Sequence, residues 1–255
     1  GYKKDSLISL VKYSMQHDKS SFWQHVTNQI KASVNIVPSE LRYDQHYDQI
    51  FNVLLLFNVE TYRTTLSIDD FYPFKQHKAN QWSLEHIHAQ NSDGLDQTKK
   101  EQWLQWLELH LPVLEVLKEK ELFKKKKSDI EQIISDVENT LKEKLNWVLF
   151  SEYFAKITQI LSDDTEKSDS ETHGLANMAL LSRPANSALN SSAFVVKRNM
   201  ILDLDKDGSF VPICTRRVFQ GYYTGNTNNG DDAFFWGTHE QGEYITEEPL
   251  AKRVR

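Results

Sequence analysis

Residues 81–91 read QWSLEHIHAQN and place an acid and two histidines, Glu85, His86 and His88, within a few positions of one another. Leu84, His86 and His88 alternate with Ser83, Glu85 and Ile87, which predicts a short strand with both histidines on one face. A Glu-His pair alone carries almost no weight. It could hold a metal, act as a general base, or be surface polarity on an ordinary strand. The partners that decide between these must come from elsewhere in the chain.

Both sides of this stretch read as helix. Leu7, Leu10, Val11 and Met15 recur at helical spacing, as do Phe22, Val26, Ile30 and Val34. These two stripes predict amphipathic helices over 6–34 with their apolar faces in a core. Between them, Asp18 to Ser21 offers helix caps. A further helix is expected over 40–58, with Tyr47, Ile50, Val53, Leu54 and Phe57 on one face. Downstream, residues 98–161 return to helical spacing. EQWLQWLELHL is expected to stop at Pro112, and Ile130, Ile133, Ile134, Val137, Leu141 and Leu145 to form one long helix. Lys124 to Lys127 is read as a solvated charge cluster at a helix end, with phosphate contact as the alternative.

SDDTEKSDSETHG, residues 162–174, is acidic, Ser-rich and without large apolar side chains, so it reads as a loop. It separates the helical stretch from a second structured block. In that block NMALLS suits a strand, PANSALNSSAFVVKRNMIL one helix, DKDG a turn, and FVPIC a short strand leading to another helix.

Composition bounds the possibilities. The chain has 255 residues, 39% of them hydrophobic, which is enough for one or two domains with real cores. A net charge of -6 argues against nucleic-acid binding over the whole surface, though not against a local basic cleft. The lone Cys214 rules out an intramolecular disulfide and a multi-cysteine zinc site, and fits a reducing compartment. The longest apolar run, Val53 to Phe57, is too short to span a bilayer. No signal peptide is read at the start, and the absence of an initiating Met suggests a piece of a longer protein.

The second block supplies the partners for Glu85 and His86. Asn186 and Asn190 fall one helical turn apart, so they share a face, with Asn177 upstream and Lys197 and Arg198 further along the same expected helix. A strand carrying Glu85-His86 against such a helix would make a compact cation site. Its oxygen-rich ligands suit Mg²⁺ or Mn²⁺ better than zinc.

EHIHAQN, followed after a long insertion by GLANMALLSRPANSALNSSAFVVKR, resembles the His-Asn-His (HNH) nucleases of the ββα-metal fold. More narrowly, it is similar to the C-terminal nuclease domain of GmrSD-type modification-dependent restriction proteins. The resemblance covers residues from about 80 onward, with FVPICTRRVFQGYYT and FFWGTHEQGEYI similar to tails in one branch of that family. The preceding helices resemble, more weakly, the connector that follows a DUF262-type N-terminal domain, which this chain does not include.

The resemblance implies roles residue by residue. His86 matches the general base and Glu85 the acidic metal ligand before it. Asn186 stands where simpler members carry the last histidine, and Asn190 at a further ligand position. Asn177 matches the middle Asn, which braces the loop holding the base. Lys197, Arg198 and Arg183 are the expected phosphate contacts. Family members often carry Pro at or near position 89, and this chain has His88-Ala89, which leaves the role of His88 open.

Other readings stand beside this one. His86 and His88 have the spacing of strand-borne zinc ligands, with His173 the one further histidine expected nearby. Asn186 and Asn190 could simply decorate a helix that Pro184 begins. Asp203, Asp205 and Asp207 open like an EF-hand loop, but Cys214 stands where the bidentate Glu is required, so a polar turn is expected. Cys214 is read as buried and inert. Arg216 and Arg217 could line a DNA groove or be solvated.

The expected architecture is α+β and predominantly α. Residues 1–78 form a helical connector. Residues 79–255 form the HNH domain, with a helical insertion at 95–162, an acidic loop at 162–174, the second half of the core at 174–215 and an extension at 216–255. The expected function is metal-dependent DNA cleavage by a cytoplasmic bacterial anti-phage protein. Mg²⁺ is the expected cofactor, with Mn²⁺ able to substitute and zinc disfavoured. DNA and an upstream DUF262-like domain are the expected partners. The alternatives are a DNA-binding or adaptor module with a degenerate site, and a zinc-dependent hydrolase.

Overall fold

The computed structural model describes residues 4–33, 37–65, 71–88, 95–140, 144–162, 172–189, 191–221, 235–236 and 238–244. The architecture is mostly helical, around a two-stranded antiparallel sheet. Strand β1 (Trp82–His86) pairs with β2 (Met178–Ser182), placing Glu85 opposite Ala179 and His86 opposite Met178. The expected strand ends at His86, two residues early; Ile87 N–H makes one further in-register bond to the carbonyl of Asn177 (2.8 Å), the last residue of a single 3-10 turn at Leu175–Asn177.

Helix α1 (Lys4–Gln16) lies against α2 (Lys19–Ser33). Tyr13 stacks between His17 and His25 at 3.8 and 3.9 Å, and Asp18 caps α2 through Ser21 N–H. The apolar stripe expected in a core is not buried here. Leu7, Val11 and Met15 of the first stripe are exposed and Phe22, Val26 and Ile30 of the second are half-buried, because a pair of helices covers only the facing part of each stripe.

Helix α3 (Tyr47–Thr65) starts later than expected and belongs to the sheet. Its Ile50, Val53, Leu54 and Phe57 share one apolar core with Leu84, Met178 and Leu180. A boundary at residue 78 therefore cuts through a single core. After α4 (Phe74–Ala79) and β1, the insertion supplies α5 (Lys100–Leu117), α6 (Lys127–Asn139) and α7 (Trp147–Ile160). α5 continues through Pro112, and the long helix expected to reach Leu145 ends at Asn139. These helices form a second core with Trp106, Leu114, Ile130, Phe150 and Ile157, and that core also takes in Val195 and Val196. Two of the four lysines in the run pair with nearby acids, Lys124 with Glu121 and Lys127 with Glu119, and Lys126 donates to the Ile160 carbonyl.

After β2, the single helix expected over 184–202 is two. α8 (Arg183–Leu189) and α9 (Phe194–Lys206) are separated by Ser191, whose φ of 58° lies in the left-handed region that no helix continues through. The insertion holds this break. Trp106 Nε1 donates to Ser191 O (3.0 Å), and His110 Nε2 accepts from Ala193 N–H (3.1 Å). α9 ends in a Schellman turn, with Ser209 N–H on Leu204 O, Gly208 N–H on Asp205 O, and Gly208 at φ 76°. Asp203 and Asp205 are thus helical, paired with Lys206 and Arg216, and do not form a calcium loop. FVPIC is not a strand. Ile213 and Cys214 open α10 (Ile213–Phe219), with Cys214 fully buried. A last helix, α11 (Thr238–Tyr244), adds Tyr244 to the sheet core. Among the described residues no helix is long and apolar enough to cross a membrane.

Candidate functional site

Successive strand residues face opposite sides of a sheet, and the contacts along β1 follow that rule. Ser83 and Glu85 meet the helices after β2. Leu84 packs in the core with α3, and His86 meets Tyr43 in the segment before it. Asn186, on α8, donates its amide nitrogen to Ser83 Oγ (2.8 Å) and to the Leu84 carbonyl (3.0 Å). That carbonyl can only accept, so the nitrogen of Asn186 faces the strand.

Lys197 reaches from α9 to Glu85. Its ammonium donates to Glu85 Oε1 and to the main-chain oxygen of His86 (2.6 Å). The two side chains are 1% and 9% exposed, which makes this a buried ion pair. Burial pushes the Glu85 carboxyl above its ordinary range, and the Lys197 ammonium pulls it back down.

His86 lies on the other face. Its ring meets Tyr43 at 4.5 Å and His173 at 5.7 Å, both edge to face. An antiparallel bridge between Arg42 and Gly174, with Tyr43 N–H on His173 O (2.9 Å), brings these two residues together. His86 Nε2 is buried with no hydrogen-bond partner among the described residues. Burial holds the imidazole well below its ordinary value, at about 3, and Lys197 and His173 push the same way. At neutral pH the ring is uncharged.

Asn177 fixes the turn that follows His86. Its Oδ1 accepts from His88 N–H (2.9 Å), and its Nδ2 donates to Thr172 O (2.8 Å) and, at longer range, to His88 O (3.4 Å). With the Ile87–Asn177 backbone bond, this staples the end of β1 to the start of β2. His88 is half-buried, and its backbone is held here.

The expected site residues are thus divided between two faces. Glu85, Asn186 and Lys197 lie on the helix side, and His86 lies with Tyr43 and His173. Asn190 falls outside the described residues. Lys197 departs from its expected role. Its charge is committed inside, so it is not a surface phosphate contact. Arg183 is exposed at the start of α8. Arg198 is half-buried, and its buried Nε has no hydrogen-bond partner among the described residues. Arg216 is paired with Asp205. A cleft of about 290 Å³ between α6 and α7 contains none of these residues.

The described residues do not, in this arrangement, form a divalent-cation site. The Glu85 carboxylate is bonded to an ammonium, the Asn186 amide nitrogen faces the strand, and no group of three or more His, Cys, Asp or Glu side chains is placed to hold a metal. Sequence reading missed Tyr43 entirely and placed His173 only as a zinc alternative. Neither carries a local signal, because their positions depend on a bridge between segments far apart in the chain.

No protein-family model matches the chain, and no curated protein and no solved structure matches it.

Proposed function

We propose that this chain is an HNH-type endonuclease domain that hydrolyses DNA phosphodiester bonds, with β1, β2 and α8 as its ββα core. The observation that supports this best is His86. It carries a neutral, buried ring nitrogen without a partner among the described residues, on a strand end stapled by Asn177. An imidazole so placed is a candidate general base for activating water, a role worth roughly 10² to 10⁴-fold. A value near 3 is low for that role in the free protein. An arriving phosphate acts in the opposite direction, since nearby negative charge favours the imidazolium. Arg183 and Arg198 would hold the DNA backbone without reading sequence.

The expected cofactor is Mg²⁺ or Mn²⁺, which would supply charge neutralisation at the phosphate. Holding it at Glu85 requires Lys197 to move. The setting that goes with this reading is a cytoplasmic bacterial anti-phage protein with an upstream DUF262-like domain.

A second reading is favoured by one observation. The His86 ring is turned toward Tyr43 and His173 and away from Glu85 and Asn186, as in a DNA-binding or adaptor module whose nuclease site has decayed. Supercoiled-plasmid nicking across a panel of divalent metals separates the two. The nuclease reading expects cleavage by the wild type and none by His86→Ala with an unchanged circular-dichroism spectrum. Equal nicking by both proteins removes His86 as the base, and DNA binding without nicking by either leaves the second reading.

A further inference from the structure

The cleft between α6 and α7 is lined along α6 by Asp129, Gln132 and Asp136, and along α7 by Lys156. The α6 residues fall at i, i+3 and i+7, so helical spacing puts them on one wall. That wall carries two carboxylates, and the facing wall carries an ammonium. Between them the cleft is lined by Ile133 and Ile160, which belong to the buried core of the insertion. Both ends are tied. Lys126 Nζ donates to the Ile160 carbonyl (3.4 Å) and joins the start of α6 to the end of α7. At the other end, Tyr153 OH from α7 meets Thr140 Oγ1 (2.5 Å) and the Asp136 carbonyl (3.3 Å). The walls are thus pre-formed around a volume of about 290 Å³, close to the lower end of the range for small-molecule sites.

Elsewhere on the insertion, lysines pair directly with carboxylates, Lys118 with Glu115, Lys124 with Glu121 and Lys127 with Glu119. Across the cleft they do not. Among the described residues Asp129, Asp136 and Lys156 form no ion pair, and the one side-chain bond to Asp136 comes from Gln132 on its own wall (2.7 Å). Packed helix axes lie about 8–10 Å apart, so charges carried by the two walls face one another over a gap with an apolar base.

We propose that the α6–α7 cleft binds a small zwitterion whose ammonium and carboxylate stand at opposite ends of a short hydrocarbon chain. The ammonium goes to Asp129 and Asp136, the carboxylate goes to Lys156, and the chain lies over Ile133 and Ile160. An α-amino acid holds its two charges too close together to reach both walls. A simple amine or carboxylate meets one wall and leaves the other to water. The cleft contains none of the sheet residues, and it would take this ligand whether or not the chain cleaves DNA.

The test is a titration of the whole ¹⁵N-labelled chain, followed by amide chemical shifts, with 6-aminohexanoate, hexanoate, hexylamine and glycine at matched ionic strength. 6-Aminohexanoate is expected to shift amides in residues 129–136 and 156–160 saturably, and to bind at least tenfold more tightly than each of the other three. These arms use only the wild type, so they do not depend on any variant folding. Lys156→Gln and the double variant Asp129→Asn/Asp136→Asn are each expected to weaken 6-aminohexanoate at least fivefold with little change in melting temperature, since Lys156 and Asp129 are exposed and Asp136 is half-buried. The absence of saturable shifts at these amides overturns the proposal. So does equal affinity for hexylamine, hexanoate or glycine, or unchanged affinity in both variants.

Discussion

The ammonium of Lys197 and the carboxylate of Glu85 form an ion pair beneath β1 that solvent barely reaches. It joins α9 to the strand that carries His86, and the same ammonium also bonds the His86 carbonyl. Breaking a buried pair from one side leaves the other charge uncompensated, which typically costs about 3–5 kcal/mol. Glu85→Gln is expected to destabilise the fold by an amount in that range. Glu85→Gln/Lys197→Met should cost less than the sum of the single changes. Urea unfolding of the three variants measures the coupling, and strict additivity would contradict the pairing.

Asn177→Ala removes the acceptor for the partly buried His88 N–H and the donor to Thr172 O. An orphaned buried donor costs about 1–3 kcal/mol. The expected outcome is a loss of that order by chemical denaturation, with faster hydrogen exchange at His88 and Ile87. Under the nuclease reading, nicking falls as well, because the turn after His86 is no longer pinned.

His110 is buried and neutral, donating from Nδ1 to Trp106 O and accepting at Nε2 from Ala193 N–H, and burial holds it at about 3. The unfolded histidine titrates near 6.5. Between these values the unfolded chain binds a proton that the folded chain refuses, so stability rises with pH across that window and is complete above it. Each such group contributes a slope of about 1.4 kcal/mol per pH unit, and His86 adds a second of the same sign. His110→Gln is expected to flatten the dependence between pH 4 and 6 by up to about 1.4 kcal/mol per pH unit, leaving the like-signed contributions of His86 and His77 in place. Urea midpoints against pH measure this, and an unaltered slope would show that His110 does not titrate this way.

Pro112 lies inside α5, where it lacks the N–H that would bond the carbonyl one turn back. Its side chain is exposed. Pro112→Ala is expected to raise stability by roughly 1–3 kcal/mol, seen as a higher melting temperature with cleavage unchanged. A lower melting temperature would mean that the proline's restriction of the unfolded chain outweighs its cost in the helix.

Much of the architecture was legible because it is local. The alternation through Leu84 marks β1, NMALLS marks β2, the spacing of Ile50, Val53, Leu54 and Phe57 marks the buried face of α3, and Asp18 caps α2 as its position suggested. Period and capping are written in neighbouring residues. The misreadings fell where distant side chains complete a backbone. PANSALNSSAFVVKRNMIL has the pattern of one helix, and nothing within it announces a break at Ser191. That break is held by Trp106 and His110 from the insertion, which supply the partners its backbone would otherwise lack. Splitting the helix turns Asn186 and Lys197 into residues of different elements, each reaching β1 along its own path.

By itself, then, the sequence marked an acid and a histidine on a strand and named Asn177, Asn186 and Asn190 as their expected partners, with Lys197 expected at phosphate instead. Only the tertiary structure decided their pairing. It placed Lys197 on Glu85, turned His86 toward Tyr43 and His173, and closed Asn177 around the backbone of His88. The physical reason is that a buried charge or polar group takes whatever partner the packed helices deliver within hydrogen-bond reach. That delivery depends on where α9 and the Tyr43 segment come to rest, which no local pattern specifies.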